Sequence, residues 1–358
     1  MAKEVPTSFV RGNAVHESYA RVVTIHGVYE LLVEENVGYR VRGHNYFVED
    51  GIETHNTIRN NLAISSLTVT NMLQTDISVA SFWVTNPTND FYGNHAAGGD
   101  FYGIWYEIKP NPDGPSATND VCPTGNPLGY VANNVAHSNI RFGLRIFQLF
   151  SRMYPCQSIR DDTNASDPWY SNPSIPSVFY NFTIYKNLED GVLSEQSGNL
   201  MISNFTIAEN YNAGVEFYLA NFTQEMVSVD NCAIIGMSQT NAESDQSNYT
   251  NGMAAVITPR SGQSNITNTR FYNYPTGSIM FVTCSKCNEI MLFTNLGNEV
   301  IVKNLTFNNV NGGYLLMLGL KRDIIYDVDA SLSAAFSVGN RTSATIMFGY
   351  NHIANYQQ

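Results

Sequence analysis

The sequence is poor in basic residues and has no long apolar run. Only 19 of its 358 residues are lysine or arginine, against 31 aspartates and glutamates, which gives a formal net charge of −12. Such an acidic surface repels phosphate backbones, so we expect no nucleic-acid partner. Because no run of about 18 apolar residues occurs, no membrane-spanning helix is predicted. An anionic polysaccharide would need a local basic patch or a bridging cation to bind.

Cysteine is also scarce, and its number is odd. Of the five cysteines, Cys122, Cys156, Cys232, Cys284 and Cys287, only the last two lie close together, in CSKC. A zinc site of this type would need a second close pair, and a redox motif would need a helix start beside it. We therefore predict a structural disulfide at Cys284 and Cys287. The pairing of the other three cysteines stays open, and at least one thiol is left over.

Long amphipathic helical patterns are nearly absent, and a recurrent phrase takes their place. A few alternating residues, an asparagine and a small apolar pair recur, as in FVRGNAVHES and LLVEENVGYR. The asparagines fall at positions 13, 36, 61, 94, 134, 181, 204, 231 and 304, so the first two gaps are 23 and 25 residues. This period predicts a β-solenoid with about three short strands per coil, in which Asn13, Asn36 and Asn61 stack at one corner. A β-sandwich would not explain the recurrence.

Acceptor sequences for N-linked glycans are dense after residue 160. Their clustering and the repeated NFT favour a secreted or cell-surface glycoprotein over chance occurrence. Because the first twenty residues lack the apolar stretch of a secretion signal, we expect this chain to be a fragment or its true start to lie upstream. The acceptors are Asn164, Asn181, Asn204, Asn221, Asn248, Asn265, Asn304 and Asn340.

Titratable residues gather in one short stretch, residues 43–56, which reads GHNYFVEDGIETHN. Its acids and histidines stand out in a chain with only 14% charged residues. Counted from the repeated asparagine, His26 lies 13 residues after Asn13, and Glu49 lies 13 residues after Asn36. Equal offsets on adjacent coils would place these two side chains one strand spacing, about 5 Å, apart.

A polar and aromatic stripe would extend from this stretch along one face of the solenoid. Carboxylates, arginine and histidine bond sugar hydroxyls or carboxylates, and aromatic rings cover sugar faces. The predicted catalytic residues are His26, His44, Glu49, Asp50 and Arg145, the predicted substrate-binding residues are Trp83, Trp105 and His137, and the predicted metal ligands are His26, His44 and Glu49.

Several chemistries fit this cluster. Paired carboxylates can divide acid and base roles in a hydrolase. Acids can hold Ca²⁺ beside a substrate carboxylate in a lyase, and a set that includes histidine can hold another divalent metal. The structural alternative is that the acids of the Glu-Asp-Gly turn bond turn amides and that His44 is a buried, hydrogen-bonded residue.

Several long motifs, in one order, resemble a known family. They include SFVRGNAVHESYARVVTIHG, GHNYFVEDGIETHNTIRNNLAI, ASFWVTNPTNDFYGNHAAGGDFYGIWYEI and NNVAHSNIRFGLRIF. They resemble the β-helix region of the cell migration-inducing hyaluronidase, transmembrane protein 2 and fibrocystin-L family, over about residues 8–336. The resemblance implies an all-β, right-handed parallel β-helix with loop insertions on an extracellular or cell-surface protein. We expect a β-helix domain at 1–336 and a C-terminal strand or tail at 337–358, which continues into a further segment if the chain is a fragment.

The chain departs from the family pattern in three places. The family's glycine-rich β-domain before the helix is missing from this sequence. Ala330 replaces a glycine in DVDAS, and residues 185–300 match only loosely.

Two functions of different class are consistent with the sequence. The first is a glycosylated, non-enzymatic β-helix of a cell-surface coat or extracellular filament, whose partners are glycans, other coat proteins or copies of itself. The second is a polysaccharide-degrading enzyme, either a hyaluronidase-like hydrolase or a metal-assisted lyase. The acceptor density and the acidic surface favour the first, whereas the clustered histidines and acids favour the second.

Overall fold

In the computed structural model the chain divides into two compact units, Met1–Thr183 and Ile184–Gln358. The structure describes residues 8–70, 74–157, 172–220, 226–238, 253–259, 262–275, 278–283, 298–311, 313–317, 323–335 and 344–347. The domain boundary predicted at residue 336 lies outside these residues. Among them, no helix is long and apolar enough to cross a membrane.

The first unit consists of short strands that repeat in groups of three. They are β1 Phe9–Arg11, β2 Ala14–His16, β3 Val23–Ile25, β4 Leu32–Glu34, β5 Val37–Arg42, β6 Tyr46–Val48, β7 Thr57–Arg59, β8 Leu62–Leu67, β9 Ala80–Val84, β10 Asp90–Tyr92, β11 His95–Ala97, β12 Tyr102–Glu107, β13 Val131–Ala132, β14 Val135–His137, β15 Leu144–Phe147 and β16 Ser177–Tyr180. Single 3-10 turns at Gln74–Ser78, Gly114–Ser116 and Pro123–Gly125 lie in the longer connections.

These strands form three parallel sheets, in which each strand pairs with the equivalent strand of the next coil. The first sheet has the order β1-β4-β7-β10-β13-β16, the second β2-β5-β8-β11-β14, and the third β3-β6-β9-β12-β15. The predicted parallel β-helix is therefore confirmed.

The second unit repeats the same pattern. Its strands are β17 Thr183–Tyr185, β18 Val192–Ser197, β19 Leu200–Ser203, β20 Thr206–Ala208, β21 Ala213–Ala220, β22 Val227–Asp230, β23 Ala233–Ile235, β24 Ala254–Thr258, β25 Gly262–Thr267, β26 Arg270–Tyr274, β27 Ile279–Thr283, β28 Asn298–Lys303, β29 Thr306–Val310, β30 Gly313–Met317, β31 Asp323–Asp327 and β32 Ala344–Met347, and its helix is α1 Ser331–Ala335. The sheets run β19-β22-β25-β28-β31-β32, β17-β20-β23-β26-β29 and β18-β21-β24-β27-β30. β32 pairs with β31 in the antiparallel sense.

The core of the first unit lies inside the coils. In the first sheet Val33, Ile58, Phe91 and Val131 face one another in register from β4 to β13, and all four are buried. Parallel register repeats the same position at each coil, so one apolar residue per strand is enough to build a continuous stack.

The predicted asparagine stack is present in the first unit. Nδ2 of Asn13 donates to Oδ1 of Asn36 at 2.9 Å, and Asn36 donates in the same way to Asn61 at 3.0 Å. The series continues from Asn61 to Asn94 at 3.0 Å and from Asn94 to Asn134 at 3.3 Å. We call these five residues the asparagine ladder. It satisfies buried amides at the corner between the first and second sheets.

The later asparagines of the recurrent phrase do not continue this ladder. Asn181 is equivalent to Asn133, whose Oδ1 it contacts through Nδ2 at 2.6 Å, and Phe182 takes the buried position. Asn133 and Asn181 both have positive φ, 59° and 55°, a conformation that asparagine tolerates. Within the second unit the same positive-φ position is held by Asn204, Asn231, Asn268 and Asn304.

The one disulfide among the described residues joins Cys122 to Cys156, two cysteines whose pairing the sequence left open. It ties together two connections of the first unit. Cys232 is buried with a free thiol, and burial raises its pKa to about 12. The predicted pair Cys284 and Cys287 lies outside the described residues.

Candidate functional sites

His26, Glu49 and Asp50 meet where the third sheet of the first unit ends. His26 follows β3 directly and Glu49 follows β6, and the register of Ile25 with Val48 places the two residues on adjacent coils. Nδ1 of His26 lies 3.4 Å from Oε2 of Glu49 and 3.6 Å from Oδ2 of Asp50. We call these three residues the corner cluster.

Asp50 is the most enclosed member of the corner cluster. Its residue is 3% exposed, whereas the side chains of His26 and Glu49 are 42% and 29% exposed. Oδ2 of Asp50 is buried and has no hydrogen-bond partner among the described residues. The loop that covers it has Gly114 at positive φ, where a Cβ would lie 2.9 Å from Oδ1 of Asp50. Because Gly114 has no side chain, the loop can lie this close to the Asp50 carboxylate.

Glu53 holds the backbone on both sides of the cluster, a role that sequence reasoning missed. This fully buried carboxylate accepts hydrogen bonds from the amides of Gly27 at 2.9 Å, Asp50 at 3.3 Å and Gly51 at 2.9 Å. Glu53 therefore bonds the turn amides that the structural alternative gave to Glu49 and Asp50. The carboxylate of Asp50 is therefore not the acceptor for these turn amides.

His44 does not join the cluster, which corrects the predicted set of His26, His44 and Glu49. His44 precedes β6, whereas Glu49 follows it, so the two residues lie at opposite ends of one strand. Its ring stacks on Phe47 and Trp83 with centroids 5.1 and 4.3 Å away, and its Nδ1 accepts from the amide of Ala80 at 2.9 Å. Burial, together with the nearby Arg21 charge, lowers the pKa of His44 to about 3.

The connection after β8 covers this end of the third sheet. Asp76 from that connection receives two hydrogen bonds from Arg21, at 2.5 and 3.1 Å, and Arg21 lies over the ring of Phe47 at 4.0 Å. Although burial alone would raise it, the pKa of Asp76 is lowered because Arg21 stabilises the carboxylate. The ion pair of Arg21 with Asp76, whose side chains are both largely buried, thus holds this connection over the end of the sheet.

The predicted aromatic residues are not available to a sugar. Trp83 and Trp105 are paired in register on β9 and β12, with ring centroids 4.5 Å apart, but they are only 3% and 6% exposed. Arg145, in register with Trp105, lies over that ring at 4.4 Å and donates to the Tyr102 hydroxyl at 3.2 Å. These side chains pack against one another on the outer face of the third sheet, so the two tryptophan rings are not exposed to a ligand.

His137 lies on the second sheet, away from the predicted stripe on the third. Its ring contacts that of His95 at 5.0 Å, and its Nδ1 lies 2.9 Å from the hydroxyl of Ser138. Burial lowers the pKa of His95.

The first sheet of the first unit presents a surface that sequence reasoning missed. Arg11, Glu34, Arg59 and Tyr92 face one another in register across β1, β4, β7 and β10. Both arginines bond the buried Glu34 through Nε, and Nη1 of Arg59 donates to the Tyr92 hydroxyl at 3.0 Å. With two neighbouring rings this row forms the arginine–aromatic platform, defined as Phe9, Arg11, Glu34, Arg59, Tyr92 and Tyr130.

Two rings of the platform, Phe9 and Tyr130, are open to solvent. Phe9 is 59% exposed and lies under the Arg11 guanidinium at 5.0 Å. Tyr130 is 55% exposed and meets Tyr92 edge-on at 5.4 Å. A sequence signal existed, because each residue of the row stands two positions before an asparagine of the ladder.

A carboxyl pair lies in the second unit, where none was predicted. Asp190 and Glu216 are both buried and share a hydrogen bond, and Nδ2 of Asn212 donates to Oδ1 of Asp190 at 2.6 Å. Burial and the neighbouring Glu216 raise the pKa of Asp190 well above its usual range.

Comparison with known proteins identifies relatives over part of this chain. Residues 1–144 match the family model described as CEMIP beta-helix. Fibrocystin-L of Mus musculus is 39% identical over 209 residues, which is 58% of this chain and 5% of that protein. Cell surface hyaluronidase CEMIP2 of Homo sapiens is 29% identical over 240 residues, 57% of this chain and 17% of that protein.

Among solved structures, the Azotobacter vinelandii mannuronan C-5 epimerase AlgE4 A-module matches with a TM-score of 0.46 and 13% identity, over 87% of this chain and 78% of that one. The matched region spans only about a twentieth of fibrocystin-L and about a sixth of CEMIP2. Residues 1–144 carry a CEMIP beta-helix domain, and the chain is a homologue of fibrocystin-L and of the CEMIP hyaluronidase-like proteins.

Proposed function

We propose that this chain is an extracellular, N-glycosylated β-helix module that binds an acidic glycan on the arginine–aromatic platform without cleaving it. The observation that carries the proposal is the platform itself. Two arginines and exposed aromatic rings share one sheet face in a chain with few basic residues.

The chemistry of the platform suits a uronate-containing sugar. Tyrosine and phenylalanine rings cover the apolar faces of sugar rings, and a guanidinium pairs with a carboxylate through two parallel hydrogen bonds. Among the described residues, Arg11 donates a hydrogen bond to Glu34 through Nε. Both of its Nη nitrogens can therefore donate to a ligand. Glu34 orders both arginines before the ligand arrives, which reduces the entropy lost on binding.

Further observations support an extracellular module. Asn181 and Asn304 are exposed acceptors, and the Cys122–Cys156 disulfide is typical of oxidising compartments. CEMIP2 is named a cell-surface hyaluronidase, which makes hyaluronan, with one carboxylate per disaccharide, the first glycan to test. The burial of Trp83 and Trp105 and the separation of His44 from His26 favour binding over catalysis.

Binding is tested by isothermal titration calorimetry of the whole chain with hyaluronan oligosaccharides and with uncharged chitin oligosaccharides of the same length. We expect binding to hyaluronan only. Tyr130→Ala should weaken it by about tenfold, equivalent to about 1.4 kcal/mol, because a stacking ring is lost. The matched control is Tyr39→Ala, an exposed tyrosine on the second sheet, which should leave the affinity unchanged.

Two results would contradict the proposal. One is equal affinity of the wild type, Tyr130→Ala and Tyr39→Ala chains for hyaluronan. The other is a shortening of long hyaluronan by the wild-type chain, measured by gel electrophoresis, because this would support the enzymatic alternative.

A further inference from the structure

We propose that the corner cluster of His26, Glu49 and Asp50 is a binding site for a divalent transition-metal ion, with Zn²⁺ as the best-matched cation. The site is independent of the platform, and its support comes from geometry, burial and the absence of a competing cation.

The spacing of the potential ligand atoms fits a tetrahedral ion. Metal–ligand bonds of about 2.1 Å at tetrahedral angles place neighbouring ligand atoms about 3.4 Å apart. Nδ1 of His26 lies 3.4 Å from Oε2 of Glu49 and 3.6 Å from Oδ2 of Asp50. One ligand atom from each of the three residues lies within 4.8 Å of the others. An ion can therefore bind with small rotations of the exposed His26 and Glu49 side chains.

Asp50 supplies an independent indication of a ligand. Its Oδ2 is buried without a hydrogen-bond partner among the described residues, and it faces His26. A buried carboxylate oxygen left unpaired is costly, so such an atom needs a cation or a donor. The adjacent Lys109 does not provide one, because its Nζ bonds Asp113 at 2.6 Å.

The backbone around the cluster is held in place before any ion binds. Glu53 bonds the amide of Gly27, which follows His26, and the amides of Asp50 and Gly51. The two segments that carry the ligands are thus fixed to one buried carboxylate. Fixing ligands through their hydrogen-bonded surroundings raises metal affinity.

The ligand types select the class of ion. One imidazole and two carboxylates suit Zn²⁺ and related transition metals, whereas Ca²⁺ prefers six to eight oxygens. Three protein ligands leave a fourth position for water or for an oxygen atom of a bound molecule, on the side where His26 is exposed.

The test uses the whole chain, stripped with EDTA, and titrates Zn²⁺, Mn²⁺ and Ca²⁺ separately in a calorimeter. We expect one Zn²⁺ per chain, weaker Mn²⁺ binding and the weakest binding for Ca²⁺. His26→Gln and Asp50→Asn should each reduce Zn²⁺ affinity by at least about tenfold. His16→Gln removes an exposed histidine on β2 and should leave the affinity unchanged.

Thermal unfolding of the metal-free chain separates a ligand role from a turn role. Asp50→Asn removes an unpaired buried carboxylate, so the melting temperature without metal should rise while the increase caused by Zn²⁺ disappears. The proposal is overturned if Zn²⁺ does not bind stoichiometrically, if Ca²⁺ binds more tightly than Zn²⁺, or if Zn²⁺ binds the two cluster variants as tightly as the wild type. A lower melting temperature of Asp50→Asn with unchanged Zn²⁺ affinity would also overturn it and would assign Asp50 to the turn.

Discussion

At the scale of single residues, His44 shows how the surroundings set protonation. Its ring is enclosed by Phe47 and Trp83, and its Nδ1 already accepts the amide of Ala80. A charged imidazole would be desolvated there and would lie near the Arg21 cation, so the folded chain keeps His44 neutral, with its pKa lowered to about 3.

This environment predicts a specific loss of stability in mild acid. An unfolded histidine takes up a proton below about pH 6.5, while folded His44 does not until about pH 3. Stability should therefore fall by up to about 1.4 kcal/mol per pH unit as the pH drops from about 6 to about 4.5. The lowered pKa of Asp76 adds its own loss only at lower pH, near and below the range where an unfolded aspartate is protonated.

Urea unfolding followed by tryptophan fluorescence at several pH values measures this slope. His44→Gln, which still offers an acceptor to Ala80, should lose most of it. His55→Gln changes an exposed histidine and should keep the wild-type slope. Equal slopes in all three chains would show that His44 does not cause the acid sensitivity.

At the scale of elements, the asparagine ladder connects the coils of the first unit. Asn61, in the middle, accepts from the amide and Nδ2 of Asn36, and its own Nδ2 donates to the carbonyl of Val33 and to Asn94. Asn13, at the end, is exposed and donates to Asn36 and to the carbonyl of Arg11.

Removing the middle of the ladder should cost far more than removing its end. Asn61→Ala leaves several buried donors and acceptors unpaired, so we expect a loss of about 3 kcal/mol in the free energy of unfolding. Asn13→Ala exposes its partners to water and should cost less than about 1 kcal/mol. Chemical denaturation of both variants gives the comparison. Similar costs would contradict the expectation that the burial of the unpaired groups sets the loss of stability.

The sequence predicted the start of the asparagine ladder correctly, but it did not show where the ladder ends. The stack predicted for Asn13, Asn36 and Asn61 is present, because gaps of 23 and 25 residues correspond to one coil each, and it extends to Asn94 and Asn134 across longer connections. However, two adjacent positions in each coil accept asparagine. In the doublets Asn60–Asn61 and Asn133–Asn134, the first residue has positive φ and the second is buried. Where only the first is asparagine, as at Asn181, the phrase looks the same although the register differs by one.

Contacts in the candidate sites could be predicted from the sequence only where the spacing from the repeated asparagine places two residues at the same position of adjacent coils. The equal offsets of His26 and Glu49 placed these residues on adjacent coils, and the structure brings their side chains together. His44 lies 3.6 Å from Asp76, which belongs to a connection whose folded path has no sequence signal. Likewise, Trp83 packs against His44 and Trp105, and Trp105 packs against Arg145, and periodicity alone does not predict that these outward-facing side chains bury one another.

At the scale of the whole molecule, the acidic charge and the glycan acceptors define the surface. The chain carries a net charge of −12, while the first sheet of its first unit concentrates two arginines. This contrast limits binding of an anionic glycan to a local patch. Glycans would further divide the outer surface into covered and open areas, so their positions matter for any partner.

The described acceptors differ in whether a glycan fits the folded chain. Asn181 and Asn304 are exposed at turns, and each uses Nδ2 to bond a neighbouring asparagine, at 2.6 and 2.9 Å. A glycosylated Nδ2 keeps one N–H, so these bonds can persist. Asn265 lies within β25, half-buried between Ser228 of β22 and Ile301 of β28, with its Oδ1 buried, so it leaves less room for a glycan than the two turns do.

We therefore expect glycans at Asn181 and Asn304 and none at Asn265 when the chain is expressed behind a secretion signal in eukaryotic cells. The measurement is peptide mass spectrometry after enzymatic deglycosylation, which converts an occupied asparagine to aspartate. Asn265 serves as the internal control, because it has the same acceptor motif on the same chain. Occupied Asn265 in folded, secreted protein would contradict the expectation that its position between two strands excludes a glycan. Unoccupied Asn181 and Asn304 would contradict an N-glycosylated module.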